Sequence, residues 1–233
     1  MERSYTVIHV IIQIRRLPQK IIEQFRNTSV ATVYEASGMK GYINPQIKPL
    51  NRGMKICGSA FTVQTAPGDN LMLHKALEIA RKGDVIVACV GNEYEYGYWG
   101  DLMATQAMVK GLEGLAIDGC VRDSEEMINH GFKVFCRGTC IRGTTKKTLG
   151  LINYPINFGG VTVNPGDLIL GDDDGMVIVK YEEYQEVLTK SLERIEKEKI
   201  KSQALKSGIT SVEYNKLDEI FKSLGLKEED PND

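Results

Sequence analysis

Apolar and polar positions change their spacing along this chain, and the two spacings predict an alternation of strands and helices. Short, mostly apolar runs are typical of buried strands, and they lie at Ala60–Thr65, Val85–Val90, Leu115–Ile117, Lys133–Cys136, Leu168–Leu170 and Met176–Val179. Apolar residues at helical spacing predict helices at Leu17–Arg26, Val30–Ala36, Asn70–Arg81, Asp101–Lys110, Glu125–Asn129 and Tyr181–Ser207. Strands that alternate with helices indicate the α/β class. A predicted hairpin at Asp172–Gly175 adds antiparallel pairing, so the pattern favours a layered sandwich with mixed sheets.

Polar residues just before the apolar stretches predict where helices begin. Thr28-Ser29 precedes the helix at Val30, Asp69 precedes the helix at Asn70, and Ser124 precedes the helix at Glu125. Each of these side chains is a good acceptor for the unpaired N–H groups of a first helical turn. We therefore expect all three to act as caps.

The two ends of the chain differ from its middle. We predict an N-terminal extension over residues 1–16, one α/β domain over 17–180, a helical segment over 181–226 and a disordered tail over 227–233. The run Val7–Ile14 is too short to span a membrane and lacks a small-residue cleavage site, so we do not interpret it as a signal peptide.

Composition and charge exclude several classes of partner. Lys and Arg number 29 and Asp and Glu number 31, a formal net charge of −2, so neither nucleic acid nor an anionic membrane is an expected partner. Five cysteines, an odd number, predict free thiols and a reducing, cytoplasmic location. Cys136 and Cys140 have no matching Cys or His pair, which argues against a zinc site.

The segment from Asp118 to Asp123 carries the strongest chemical signal. A buried strand ends here in Asp-Gly-Cys-Val-Arg-Asp. The planar fork of Arg122 suits a carboxylate, and the carboxylate of Asp123 suits a hard cation held partly through water. The alternative is structural, with a local ion pair or a cap for the helix near Ser124 as the only role.

A second signal lies one helix and one strand earlier in the chain. Gly100 permits close approach of a ligand to the backbone. Leu102 and Met103 fall in the first turn of a helix, where unpaired N–H groups bind anions. Asp101 suits an N-cap, which is compatible with a second role. One helix and one strand separate Asp101 from Arg122, so the chain leaves one edge of the sheet at Asp101 and comes back to the same edge at Arg122.

In this order and spacing, the segments resemble the RraA-like family, which includes class II 4-hydroxy-4-methyl-2-oxoglutarate and 4-carboxy-4-hydroxy-2-oxoadipate aldolases. The resemblance covers roughly Leu17 to Gly208, and it rests on GDVIVACVG, WGDLMA, GLEGLAIDGCVRD, RGT and VNPGDLILGDDDGMVIV. The family signature, Asp followed after 20 residues by Arg-Asp, is met by Asp101, Arg122 and Asp123. The resemblance implies an αββα-type sandwich, homotrimers or homohexamers, and active sites at subunit boundaries.

The same resemblance implies roles for individual residues. Asp123 would bind Mg²⁺ or Mn²⁺ together with water, and Arg122 would contact the pyruvyl part of a small 2-oxo acid substrate. The backbone around Gly100, with the N–H groups of Leu102 and Met103, would hold the substrate carboxylate.

Two acidic residues would move protons or order water. Asp101 is expected to order the water that transfers protons. Glu198, on the C-terminal helix of a neighbouring subunit, is the candidate that completes the water shell; the alternative is an ordinary surface pair with Arg194, four residues earlier.

The implied activity is cleavage of 4-hydroxy-2-oxo acids to pyruvate through an enolate, with oxaloacetate decarboxylation as a side activity. The alternative is a non-catalytic regulator that binds and inhibits an RNA-processing endonuclease. One departure from the family is the bulky segment Val90–Gly100, VGNEYEYGYWG, which is expected to narrow the pocket or change the substrate.

Other polar groups leave alternatives open. Arg142, Lys146 and Lys147 are candidates for a second substrate carboxylate, although such residues are more often solvated. The turn at Pro67–Asn70 is a weaker candidate for the pocket. His74 is interpreted as a histidine with its hydrogen bonds satisfied. The run Asp172–Gly175 lacks the spacing of a calcium loop and is interpreted as a turn.

Overall fold

A computed structural model describes residues 8–229 of the chain. The helices are α1 (Gln19–Arg26), α2 (Val30–Ala36), α3 (Leu71–Ile79), α4 (Asp101–Val109), α5 (Ser124–Asn129), α6 (Tyr184–Lys206), α7 (Ser211–Tyr214) and α8 (Leu217–Ser223). The strands are β1 (Lys48–Pro49), β2 (Ile56–Gln64), β3 (Asp84–Cys89), β4 (Gly114–Asp118), β5 (Cys120–Val121), β6 (Val134–Cys136), β7 (Gly138–Thr139), β8 (Leu151–Ile152), β9 (Ile156–Phe158), β10 (Val161–Val163), β11 (Leu168–Asp172) and β12 (Gly175–Val179).

One mixed sheet organises the α/β unit. Its strands follow the order β1-β6-β4-β3-β2-β11-β12, with β8 paired to β2. The strands β2, β3, β4 and β6 run parallel to one another, whereas β1, β8, β11 and β12 join antiparallel. The sheet curls until β1 lies in contact with β12, so it is nearly closed. The predicted α/β class with mixed pairing is confirmed.

The two faces of the curled sheet bury separate apolar clusters. Inward-facing residues such as Val87, Phe135 and Ile169 pack with the β9–β10 hairpin. On the outside, α3, α4 and α5 cover one part of the sheet, and α1 and α2 cover another. Helices therefore lie outside two facing halves of the sheet, which is the layered sandwich with outer helices that the sequence predicts.

Two strand boundaries differ from prediction because tertiary pairing decides them. The strand predicted to start at Ala60 begins at Ile56, since β11 pairs with Ile56–Ser59. The segment 156–163, predicted as one extended piece, is a hairpin. Gly159 and Gly160 take positive φ values of 53° and 90° at its turn, which glycine adopts without strain.

The structure divides into two compact units, and the division falls inside α6, between Ser191 and Leu192. The first turns of α6 belong to the first unit, where Val187 and Leu188 join the cluster under α1 and α2. The second unit contains the rest of α6 with α7 and α8. Within residues 8–229, none of the helices combines the length and the apolar character that crossing a membrane requires.

The predicted terminal segments are only partly described. Residues 1–7 of the extension and residues 230–233 of the tail lie outside the described range. Residues 8–16 contain no helix or strand, but Val10 forms an isolated bridge to Ile152 of β8. Residues 227–229 have no regular secondary structure.

Candidate active site

A cleft of about 360 Å³ opens where β3 and β4 end. Because parallel strands present their carboxyl ends at one edge, the loops that follow them meet there. Five of the residues predicted from sequence lie in this one cleft: Gly100, Leu102, Met103, Arg122 and Asp123.

The cleft has two sides, which we name by what supports them. The strand wall consists of Gly97, Tyr98, Gly100, Leu102, Met103, Arg122 and Asp123. The loop wall consists of Gly143, Thr144 and Lys146 from the loop at residues 137–150, with Asn70 and His74 from the start of α3.

Backbone pairing fixes the strand wall. The N–H of Arg122 donates to the carbonyl of Trp99 (2.9 Å), and the N–H of Tyr98 donates to the carbonyl of Cys120 (3.1 Å). Trp99 is fully buried, and its ring stacks on Phe132 with centroids 6.0 Å apart. The segment that precedes α4 is therefore tied to the segment that follows β4, and this brings Gly100 next to Arg122 and Asp123.

Asp123 takes an unusual backbone conformation. Its φ is 54° and its ψ is 43°, the left-handed region that non-glycine residues seldom adopt. It occupies the N-cap position of α5 without a side-chain cap bond, so the prediction that Ser124 caps this helix is wrong. Its carboxylate lies instead against the start of α4, where the N–H of Asp101 reaches Oδ2 at 3.3 Å. Strained backbone is often found at functional positions.

The absence of a side chain at Gly100 leaves room for the Asp123 carboxylate, and not only for a ligand as the sequence suggested. A Cβ placed on Gly100 would lie 2.4 Å from Oδ2 of Asp123, closer than any real contact. The backbone of Gly100 is extended, with φ of −142°, so glycine is needed here for space and not for its dihedral angles.

The donor set around Asp123 fits only one kind of metal. Within residues 8–229, no group of three or more His, Cys, Asp or Glu side chains is placed to hold an ion. The Asp123 side chain is 43 % exposed, and Arg122 Nε lies 3.6 Å from its Oδ2. A single accessible carboxylate suits a hard cation such as Mg²⁺ or Mn²⁺ that keeps most of its water. It does not suit a closed zinc site.

The N-terminus of α4 offers one free donor rather than two. Met103 N–H donates to the carbonyl of Gly100 (3.1 Å), a tight first-turn bond that engages one of the two predicted carboxylate donors. Leu102 N–H has no acceptor among the described residues, and the Leu102 side chain is exposed. Leu102 N–H is thus the main hydrogen-bond donor that this turn offers to an anion.

Asp101 has a partner that the sequence patterns did not reveal. It is the first residue of α4, Gly100 is the N-cap, and no cap bond forms through a side chain, so the N-cap interpretation of Asp101 is wrong. Its Oδ1 instead lies 2.9 Å from Nδ1 of His130, at the end of α5. A carboxylate can only accept, so Nδ1 carries the proton in this pair. His130 lies seven residues after Asp123, and no local motif signals the contact.

On the loop wall, α3 presents two polar side chains with unsatisfied atoms. Oδ1 of Asn70 and Nε2 of His74 are buried and have no partner among the described residues. The Asn70 amide donates to the carbonyl of Tyr98 (3.0 Å), which fixes its orientation. Burial, reinforced by the charge of Lys146, lowers the pKa of His74, so this side chain is neutral at pH 7. The interpretation of His74 as a satisfied histidine is wrong, and the weaker prediction that the Pro67–Asn70 turn reaches the pocket is correct for Asn70.

Of the three basic residues predicted to meet a second carboxylate, only Lys146 lines the cleft. The guanidinium of Arg142 lies over the ring of Tyr96 at 3.9 Å, and that of Arg137 lies over Tyr94 at the same distance. These stacks hold two tyrosines of the bulky segment outside the cleft lining. Tyr98 does line it, although its hydroxyl is used internally, donating to Glu93 O and accepting from Gly68 N. The expected narrowing of the pocket by the bulky segment is thus limited to Tyr98.

Glu198 belongs to the second compact unit. Its carboxylate pairs with Arg194 at 2.8 Å, four residues earlier on α6. This is the surface pair that the sequence left open as the alternative. A role for Glu198 at the site of a neighbouring subunit stays a prediction.

Comparison with known proteins identifies the family of this chain. The family model described as RraA-like, Aldolase/RraA, matches residues 28–178. The chain belongs to the RraA-like family. Over 191 residues it is 35 % identical to a Halalkalibacterium halodurans protein provisionally named 4-hydroxy-4-methyl-2-oxoglutarate aldolase, covering 82 % of this chain and 91 % of the relative.

Solved structures share the RraA-like fold. An uncharacterised Pseudomonas syringae protein superposes with a TM-score of 0.77 at 27 % identity, covering 90 % of this chain and 96 % of that one. Streptomyces coelicolor RraAS2, described as an unusual member of the RNase ES inhibitor RraA protein family, has a TM-score of 0.74 at 26 % identity, covering 82 % and 99 %.

Proposed function

We propose that this RraA-like chain is a divalent-metal-dependent aldolase that cleaves 4-hydroxy-2-oxo acids, of the 4-hydroxy-4-methyl-2-oxoglutarate type, to pyruvate. The observation that carries the proposal is the meeting of Arg122, Asp123 and the first turn of α4 in one cleft. Binding and activating a 2-oxo acid requires a hydrogen-bond donor for its carboxylate, a fixed positive charge and a carboxylate that can hold a metal ion.

The strand wall would bind the pyruvyl end of the substrate. Leu102 N–H, at the positive end of α4, would donate a hydrogen bond to the carboxylate. The Arg122 guanidinium, which is half exposed, would lie beside the 2-oxo oxygen and stabilise the negative charge that develops there. Mg²⁺ or Mn²⁺ held by Asp123 and water would act as a Lewis acid at the same oxygen.

The bond changes then follow without a covalent enzyme intermediate. A water ordered by Asp101 takes the proton of the 4-hydroxyl, and a new carbonyl forms at C4 as the C3–C4 bond breaks. The electron pair of that bond passes into the enolate of pyruvate. A water returns a proton to C3, which completes pyruvate. His130, bonded to Asp101, would hold one carboxylate oxygen so that the other faces the water.

The loop wall would bind the distal end of the substrate. Lys146, which lines the same cleft as Arg122, would pair with a second carboxylate. Oxaloacetate carries the same 2-oxo acid and a distal carboxylate, and losing carbon dioxide from it yields the same enolate. We therefore propose oxaloacetate decarboxylation as a side activity.

Assembly and location belong to the same proposal. A homotrimer or homohexamer in the cytoplasm would let the segment 181–226 pack on a neighbouring subunit, so that Glu198 reaches the neighbouring site. The net charge of −2 gives no support for a nucleic-acid or membrane partner.

A second candidate function is regulation of an RNA-degrading enzyme by protein contact. Support comes from the RraAS2 structure, whose description places it in a family of RNase ES inhibitors. The geometry of the strand wall favours the enzymatic function. Contact between protein surfaces does not require an Asp in a left-handed backbone conformation beside a helix N-terminus.

Release of pyruvate tests the proposal. Purified protein is given 4-hydroxy-4-methyl-2-oxoglutarate or oxaloacetate with Mg²⁺, with Mn²⁺ or with EDTA. Arg122→Ala and Asp123→Ala serve as site variants, and Asp174→Asn, in an exposed turn, is the charge-matched control. We expect metal-dependent pyruvate that both site variants lose and the control keeps. No pyruvate from either substrate with metal would refute the enzyme and favour the regulator.

A further inference from the structure

The loop that carries Lys146 has no apolar anchor of its own. None of the residues 137–150 is buried. Its two large aliphatic side chains point to solvent, with Ile141 95 % and Leu149 59 % exposed. Hydrophobic burial normally holds a segment in place. Some other interaction must therefore fix Gly143, Thr144 and Lys146 at the cleft.

Hydrogen bonds supply that interaction. Pairing of β7 with β5 holds the start of the loop, and the part around Lys146 is held by one buried carboxylate, Asp69, which is 1 % exposed. Its Oδ2 accepts hydrogen bonds from Thr145 Oγ1 (2.8 Å), Lys147 N (2.6 Å) and Thr148 N (3.2 Å). These donors flank Lys146 on both sides. The same carboxylate thus holds the hydroxyl of the residue before Lys146 and the backbone of the two residues after it.

The other oxygen of Asp69 ties this contact to α3. Oδ1 accepts from Leu71 N (2.8 Å), the first residue of that helix. Backbone bonds run beside it, from Thr145 N to Gly68 O (2.8 Å) and from Asn70 N to Thr145 O (3.0 Å). The loop is therefore fastened to the helix that supplies the rest of the loop wall.

The charge of Asp69 is accounted for in this position. Burial by itself would raise the pKa of Asp69, but hydrogen bonds from Leu71, Lys147, Thr145 and Thr148 outweigh it and lower the pKa. The carboxylate stays ionised at pH 7 and accepts from all four donors. An amide of the same shape would offer one acceptor and an NH₂ group that opposes N–H donors.

We propose that Asp69 is a positioning residue that places Lys146 in the cleft that Arg122 also lines. The substrate role of Lys146 rests on the proposed function, whereas the fastening of the loop by Asp69 does not. Asp69 acts on the ligand only through the loop, so its loss should weaken recognition of the distal carboxylate more than it slows bond cleavage.

The rate of trypsin cleavage measures how firmly the loop is held, and this measurement needs no aldolase substrate. The loop contains Arg137, Arg142, Lys146 and Lys147, four sites that trypsin cuts when the backbone opens. We compare Asp69→Asn with Thr145→Val, which removes one of the hydrogen bonds, and with Asp174→Asn. Cleavage after Lys110, at the end of α4, reports opening of the whole unit.

We expect the loop to be cut about tenfold faster in Asp69→Asn, and by a smaller factor in Thr145→Val, while cleavage after Lys110 stays far slower than loop cleavage in every protein. Equal loop cleavage in wild type and Asp69→Asn would overturn the proposal. So would loop cleavage no faster than cleavage after Lys110, because that result would mean that the loop is cut only when the whole unit opens.

Kinetics then test the route through Lys146. With the substrate 4-hydroxy-4-methyl-2-oxoglutarate, Asp69→Asn and Lys146→Met should each raise KM about tenfold and change kcat by much less. If Asp69 acts through Lys146, the double variant should show about the same tenfold rise, not a hundredfold one. Additive effects, or a loss confined to kcat, would overturn the proposal. Absence of turnover in wild type would refute the aldolase, while trypsin would still decide the fastening.

Discussion

The two walls of the cleft are held in place by different physical means. The strand wall continues from strands of the core: Trp99 is fully buried, and backbone bonds join it to Arg122. The loop wall includes a segment without one buried side chain, which is held by backbone hydrogen bonds to its neighbours and by the carboxylate of Asp69. The comparison teaches that the groups proposed to bind the reacting end of the substrate are fixed by the core itself. The groups proposed for the distal end depend on a few polar contacts that can change without altering the core.

The largest effect is expected on the strand wall, at Arg122. Arg122→Ala should lower kcat/KM about a thousandfold, because a fixed positive charge at the developing enolate oxygen is lost. Arg122→Lys should recover only part of this, since an ammonium lacks the planar fork. Pyruvate release gives both rates, and thermal melting is the control for folding. The side chain is 50 % exposed, so the melting temperature should not change.

Gly100→Ala tests how closely the strand wall is packed. The added Cβ would lie 2.4 Å from Asp123 Oδ2 and must displace that carboxylate. We expect Mn²⁺ affinity and kcat/KM to fall about a hundredfold, a loss typical of misplaced active-site groups. Mn²⁺ binding measured by electron paramagnetic resonance gives the affinity without turnover. Unchanged Mn²⁺ affinity would show that Asp123 does not hold the metal.

The same difference explains what could be predicted from sequence. The strand wall follows from short motifs, because β3 and β4 are buried apolar runs and the residues after them must meet at one edge. The sequence therefore predicts that Gly100, Arg122 and Asp123 line one pocket. The fold class was predictable for the same reason, from apolar runs that alternate with helical spacing.

Contacts between distant segments could not be predicted. The hydrogen bonds from Lys147 and Thr148 to Asp69 join residues nearly eighty positions apart, and nothing local marks them. His130 and Asp101 meet because α4 and α5 pack side by side. The left-handed conformation of Asp123 also escaped prediction, since residue type alone favours Ser124 as the cap.

The loop wall can be weakened by acid as well as by mutation. The pKa of Asp69 is lowered in the folded state, so its contribution to stability is present above the unfolded pKa of about 4 and is lost as pH falls through the folded pKa. Asp69→Asn should lower the free energy of unfolding by about 1–3 kcal/mol at pH 7, because buried hydrogen bonds to a charged acceptor are lost.

Urea unfolding of both proteins across pH gives the measurement. The difference between wild type and Asp69→Asn should be constant from pH 7 to 5 and should shrink below pH 4. Asp174→Asn, whose side chain is exposed, is the charge-matched control. A difference that stays the same down to pH 2 would mean that the ionised carboxylate is not what fastens the loop.

The smallest effect is expected at the edge of the strand wall, at His130. Its ring is about half exposed and touches Asp101 through one hydrogen bond of 2.9 Å, so it orients a group rather than binding substrate. His130→Ala should lower kcat about threefold to fivefold with little change in KM, because Asp101 keeps its place on α4 but loses a fixed orientation. His130→Asn, which retains a donor, should recover most of the loss. Equal kcat values for wild type and His130→Ala would mean that the backbone of α4 alone orients Asp101 and that His130 has no part in the reaction.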